Sequence, residues 1–174
     1  NTQDDLAVML TQGAVYRPDD HGGTTATATK LSADSNSASV SGVIERNTDL
    51  DFFRIDAVGG SLVCNIKPAP SGANLRLEVK LYDSAGTLLQ TATSADVSGV
   101  NNGTQQVTLT RSVTAGVFYV SVDGIGNGDP LVTGYSDYGS LGQYTGTISG
   151  VVPGGFTWTV TTSGTNQWNT TSNW

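Results

Sequence analysis

The stretch Asn47–Ala57, NTDLDFFRIDA, constrains this chain more than any other. A polar turn carries Asp49 and Asp51 two positions apart, and a strand pattern begins at once. Phe53, Ile55 and Ala57 fall on one face, and Phe52, Arg54 and Asp56 on the other. Period-two alternation of this kind predicts a half-buried strand. Carboxylates two apart at a strand entrance point the same way, so they share a cation or repel. Read alone, the turn is either half of a calcium site or a solvated acidic turn.

The same alternation recurs along the chain. Residues 25–32 (TATATKLS) and 38–44 (ASVSGVI) precede the stretch as strand candidates. Residues 61–67 follow it, with Leu62, Cys64 and Ile66 inward. Residues 75–82 set Leu75, Leu77, Val79 and Leu81 on one face, with Arg76, Glu78, Lys80 and Tyr82 on a face expected to be solvated. The turn Asp83-Ser84-Ala85-Gly86 closes a hairpin into 87–93. Val107 and Leu109 mark the next strand, 117–123 another, and Tyr144, Gly146 and Ile148 the last main one. Gly, Thr and Ser make up more than a third of the chain, which favours strands and turns over helices. The expected fold is all-β: an antiparallel β-sandwich, jelly-roll-like, of about eight or nine strands.

Residues 1–15 read as the tail of a preceding domain or a linker, with Leu6, Val8, Met9 and Leu10 in a helical turn or a short strand. Residues 16–152 form the sandwich. Residues 153–174 hold all three tryptophans, and QWNTTSNW looks like one unit of a following β-repeat or a C-terminal extension. The Gly-rich stretch 124–141 is a loop long enough to be functional or mobile. The chain begins with Asn and carries no signal peptide or membrane-length apolar run, so it reads as a mature or excised piece.

Charge excludes several function classes. The net charge is −7 and the few Lys and Arg are scattered, which argues against nucleic acid and against an anionic membrane as partner. Thirteen of the fifteen acids are Asp, the residue of turns and of hard-cation sites. An Asp-rich, Lys-poor, Thr-rich composition is common in secreted bacterial proteins, and the expected location is extracellular. Cys64 lies in an apolar run and reads as a small core residue.

Catalytic residues are not found. His21 is the only histidine, too few nitrogen ligands for a zinc set, and no nucleophile elbow accompanies it as a triad would need; it reads as a solvated loop residue. Glu45 and Glu78 stand isolated in sequence, which leaves no obvious glycosidase pair. Asp19 and Asp20 form a second acidic turn between Pro18 and Gly22–Gly23. Tyr135, Tyr138 and Trp158 are candidate ligand-binding aromatics, because a flat π face suits the C–H face of a sugar. Coplanar exposed rings would point to a sugar, and a flat Tyr- and Thr-lined sheet face to a protein polymer.

Several motifs together resemble the bacterial pre-peptidase C-terminal domain family, which includes the collagen-binding domains of clostridial collagenases. They are DDHG (Asp19–Gly22), SVSGVIERNTDLDFFRID (Ser39–Asp56), NLRLEVKLYDSAGTLL (Asn74–Leu89), AGVFYVSVDG (Ala115–Gly124) and GQYTGTIS (Gly142–Ser149). Two departures stand out. Phe52 replaces the usual tryptophan or tyrosine after the second Asp, and Gly146 stands where a large apolar residue is common. The segment NTQDDLAV resembles the end of a zincin-type catalytic domain, although no H-E-x-x-H occurs. The resemblance implies a calcium ion held by Asp19, Asp20, Asp49 and Asp51. It also implies a non-catalytic, calcium-stabilised accessory module of a secreted peptidase or other hydrolase, targeting an insoluble polymer or contacting the adjacent catalytic domain. The alternative is a carbohydrate-binding module that recognises a polysaccharide through exposed aromatics.

Overall fold

The computed structural model describes residues 5–94 and 105–152. Trp158, the other tryptophans and the expected repeat lie outside the described residues, as does the loop expected at 95–104.

A short helix, α1 (Asp5–Thr11), opens the chain. Ten strands follow: β1 (Thr29–Lys30), β2 (Ala33–Asp34), β3 (Ser37–Ile44), β4 (Asp51–Ala57), β5 (Gly60–Pro68), β6 (Leu77–Tyr82), β7 (Leu88–Thr93), β8 (Val107–Val113), β9 (Gly116–Gly124) and β10 (Gly142–Ser149). They form two five-stranded sheets, in the orders β1-β4-β9-β6-β7 and β2-β3-β10-β5-β8. Among the described residues only β1 and β4 pair in parallel; the other strand pairs are antiparallel. The all-β sandwich expected from the alternation is therefore present.

Alternate residues carry the core. Phe53, Ile55, Leu77, Val79, Leu81, Val120 and Val122 of the first sheet are buried with Ile44, Leu62, Cys64, Ile66, Leu109 and Ile148 of the second. Each such side chain contributes about 1.5–3 kcal/mol by leaving water, so these rows hold the two sheets together. Cys64 sits in this layer as a free buried thiol, pushed up to about 12 by burial and so inert.

The expected strand at 25–32 shrinks to two residues. Thr24 and Thr27 bond each other's side chains and backbone in a local turn, which competes with strand pairing. The chain then crosses from one sheet to the other, so β1 and β2 belong to different sheets.

The outward row of β6 is not simply solvated. Lys80 pairs with Glu78, and the Arg76 guanidinium donates to the Gly126 carbonyl. Ser140 adds its hydroxyl, which accepts the Arg76 N–H at 2.7 Å. The long loop is thus pinned at both ends of its path to Arg76, the residue that precedes β6. Within it, Asn127 and Tyr135 exchange backbone bonds, and the tip, residues 128–133, is exposed, with Leu131 and Val132 as its large apolar side chains.

Candidate metal centre

The first carboxylate belongs to the opening residue of β4. Asp51 is 0% exposed and Asp49 only 7%, so the acidic turn is not a solvated one. Strand alternation explains this for Asp51: it shares the inward face of Phe53 and Ile55. Its Oδ2 accepts a 2.5 Å hydrogen bond from the Tyr144 hydroxyl on β10 of the opposite sheet. Its Oδ1 is buried and has no hydrogen-bond partner among the described residues.

Asp49 sits in the turn that leads into β4, where its N–H reaches the Arg46 carbonyl. Its Oδ2 accepts the Glu45 N–H at 3.0 Å, which draws the end of β3 against the turn. Glu45 follows β3 directly, and both of its carboxylate oxygens are buried without a hydrogen-bond partner.

The linker supplies the rest. Asp19 Oδ1 accepts the His21 N–H at 3.0 Å, a local turn that fixes its direction. Asp20 Oδ1 accepts the Val43 N–H of β3 at 3.4 Å. The Gly22 carbonyl accepts the Phe52 N–H of β4 at 3.1 Å. The linker is therefore laid along the open edges of β3 and β4.

His21 is not a solvated loop residue. Its Nε2 lies 2.8 Å from the Ser41 carbonyl, which only accepts, so Nε2 carries the proton. Its Nδ1 then accepts from the Thr29 hydroxyl at 2.9 Å. The ring meets Phe53 edge-on at 4.6 Å. Both nitrogens are occupied by the protein itself, which leaves oxygen as the donor type at this site.

Two triads of carboxylates result. Asp19, Asp49 and Asp51 can bring one oxygen each within 4.8 Å of one another, and so can Asp19, Asp20 and Glu45. The structure thus gathers Asp19, Asp20, Asp49 and Asp51 at one pole of the sandwich. It adds Glu45, which is isolated in sequence but not in space. Nothing in the sequence flags Glu45 except its position one residue past the end of an alternating run.

The electrostatics are those of an uncompensated acidic cluster. The ion pairs among the described residues join Lys30 and Arg54 to Asp56, and Lys80 to Glu78, all outside the cluster. Burial, first of all, lifts the Asp51 carboxyl to about 8. The Tyr144 bond opposes this, and the charges of Asp49, Asp20 and Glu45 add to it. Burial also leads for Glu45, raised to about 7, with Asp49 and then Asp20 adding to the rise. Buried, unpartnered carboxylate oxygens are costly unless something positive meets them. The donors are all hard oxygens, a set that fits a divalent cation of the calcium type and not a soft metal.

The aromatic candidates divide. Tyr135 and Tyr138 are half-buried in the long loop, and the Tyr138 hydroxyl accepts the Leu6 N–H of α1 at 2.7 Å. A different aromatic group lies on the outward face of the first sheet, where sequence reading assigned no ligand role. Tyr82 and Tyr119 stand directly opposite each other in register. Phe52 lies beside Tyr82 with ring centroids 5.4 Å apart. Lys80 faces Thr91 and Glu78 faces Thr93 on the neighbouring strand. The signal was available: each of these residues occupies the outward phase of its alternating run.

No family model and no curated protein matches the chain. Among solved structures it is similar to the pre-peptidase C-terminal domain of collagenase from Bacillus anthracis. That match has 11% identity and a TM-score of 0.44, covering 78% of this chain and 98% of that one. The chain is also similar to CBM35 from Cellvibrio japonicus Abf62, at 15% identity and a TM-score of 0.37, covering 80% of this chain and 83% of that one. The first carries the family name that the sequence motifs suggest.

Proposed function

We propose that this chain is a non-catalytic binding module of a secreted hydrolase, with calcium clasping its linker to the sandwich. The observation that carries the reading is the set of buried carboxylate oxygens without a hydrogen-bond partner among the described residues, Asp51 Oδ1 and both oxygens of Glu45, where the linker meets β3 and β4. Calcium takes six to eight oxygens, and Asp19, Asp20, Glu45, Asp49 and Asp51 would supply the protein's share. When bound, the ion supplies the positive charge that this pole lacks. It performs no chemistry on a substrate in this reading.

The partner is an insoluble extracellular polymer. The outward face of the first sheet, with Tyr82, Tyr119, Thr91 and Thr93, favours a protein polymer over a polysaccharide. Its tyrosines and threonines lie on a sheet face, and Phe52 is tilted 33° from Tyr82 rather than coplanar with it. A polysaccharide-binding module would instead use Tyr135 and Tyr138. Extracellular location accords with a cation of the calcium type. No helix among the described residues is long and apolar enough to cross a membrane.

The test is sedimentation with insoluble collagen, chitin and cellulose, with and without calcium. Retention on collagen that a Tyr82→Ala/Tyr119→Ala variant loses is the expected result. Retention on chitin or cellulose alone, unchanged in that variant, would favour the polysaccharide reading.

A further inference from the structure

The linker does more than supply carboxylates: its side chains occupy the free edge of β3. This strand, SASVSGVI, contains no charge and no proline. Natural sheets block exposed edges with such residues, with bulges or with a covering segment, because an open edge pairs with another strand. Here β2 covers only Ser37 and Ala38. Beyond them, the Ser41 carbonyl is taken by His21 Nε2–H and the Val43 N–H by Asp20 Oδ1. Two side chains therefore stand in for a neighbouring strand.

We propose that the β3 edge is a latent self-association surface, guarded by Asp20 and His21, whose partner is a second copy of this chain. The copy would pair its own β3 antiparallel about a two-fold axis, extending the second sheet across the interface. The strand is suited to this. Its outward residues Ser39 and Ser41 are small and uncharged, so two copies bring no like charges together. The adjoining β10 presents Thr145 and Thr147 on the same face, equally without charge. A second strand can dock only after residues 19–21 lift away. The linker thereby acts as an autoinhibitory cover, whether or not a cation is bound at its Asp residues.

The experiment is sedimentation velocity over a concentration series on the full chain. The wild type stays at the mass of one chain. An Asp20→Ala/His21→Ala variant, which removes both guard bonds, shifts towards twice that mass. Asp20→Asn keeps the acceptor for Val43 while removing charge from the acidic cluster, so it stays monomeric; a dimer there would assign the effect to the cation and overturn the guard. Adding Ser41→Pro to the double variant returns it to one chain, because it removes an edge N–H and no bond to β10. Should the double variant not fold, His21→Phe takes its place, since it keeps a ring against Phe53 but donates nothing to Ser41. A folded variant that stays monomeric, or a dimer that Ser41→Pro leaves intact, overturns the proposal.

Discussion

The Tyr144 hydroxyl, carried by one sheet, donates a 2.5 Å hydrogen bond to the fully buried carboxylate of Asp51, carried by the other. It is made through a gap in a third strand. Gly42 lies opposite Tyr144 in register, and a Cβ there would run into the Tyr144 hydroxyl and Asp51 Oδ2. One sheet thus orients the carboxylate that the other sheet buries, and a missing side chain makes the space.

Removing that hydroxyl is the first test. Tyr144→Phe leaves Asp51 without a hydrogen-bond donor in the interior. The expected loss is about 1–3 kcal/mol of metal-free stability, read from urea unfolding. Gly42→Ala should cost a similar amount, about 1–3 kcal/mol, because the pair must shift to admit the methyl group. Both variants should also bind calcium more weakly in titration calorimetry. Unchanged unfolding midpoints would mean that the bond is not a support of the pole.

The pH dependence follows from the direction of the shifts. Asp51 rises from 3.8 to about 8 on folding, and Glu45 from 4.5 to about 7. Between those values the folded chain holds more protons than the unfolded one, so its stability falls as pH rises. Metal-free protein should therefore melt at a higher temperature near pH 5 than near pH 8. Calcium competes with those protons, so its stabilising increment should grow over the same interval. Thermal melts in matched buffers check both slopes. A metal-free protein that gains stability from pH 5 to pH 8 would contradict the account.

Gly146 answers one departure from the family pattern. It lies between Tyr144 and Ile148 on the inward phase of β10, and a Cβ there would strike the Asn65 carbonyl of β5. The approach of β5, not the absence of a partner, excludes a large residue here. Gly146→Val should destabilise the fold by about 1–3 kcal/mol or more through forced backbone movement. A thermal midpoint at or above that of the wild type would show that the two strands separate freely.

The sandwich was legible because alternation is a local signal. Leu77, Val79 and Leu81, or Phe118, Val120 and Val122, announce a strand with one buried face without reference to any other segment. Thr-rich residues 25–32 misled for a local reason too, since Thr side chains also bond nearby backbone and close turns. The site was legible only in parts. Asp19 with Asp20, and Asp49 with Asp51, show as acidic turns, but their meeting depends on how the linker crosses β3 and β4. Glu45 has no acidic neighbour in sequence and joins the cluster only in space, through the turn to Asp49 and the approach of Asp19 and Asp20 from the linker. His21 looks like a loop residue until the edge of β3 is placed beside it. Register, which brings Tyr144 and Gly42 together, is invisible in a single strand.

The most direct test of the central claim compares metal-stripped wild type with Asp51→Asn in calcium-titrated thermal melts near pH 8. The wild type should rise with calcium until its site saturates. Asp51→Asn removes the buried charge while keeping the shape, so its metal-free midpoint should lie higher, by about 2–4 °C for each kcal/mol relieved, and move little with calcium. A wild type that ignores calcium, or an Asp51→Asn variant that responds as fully as the wild type, would contradict a cation at this pole.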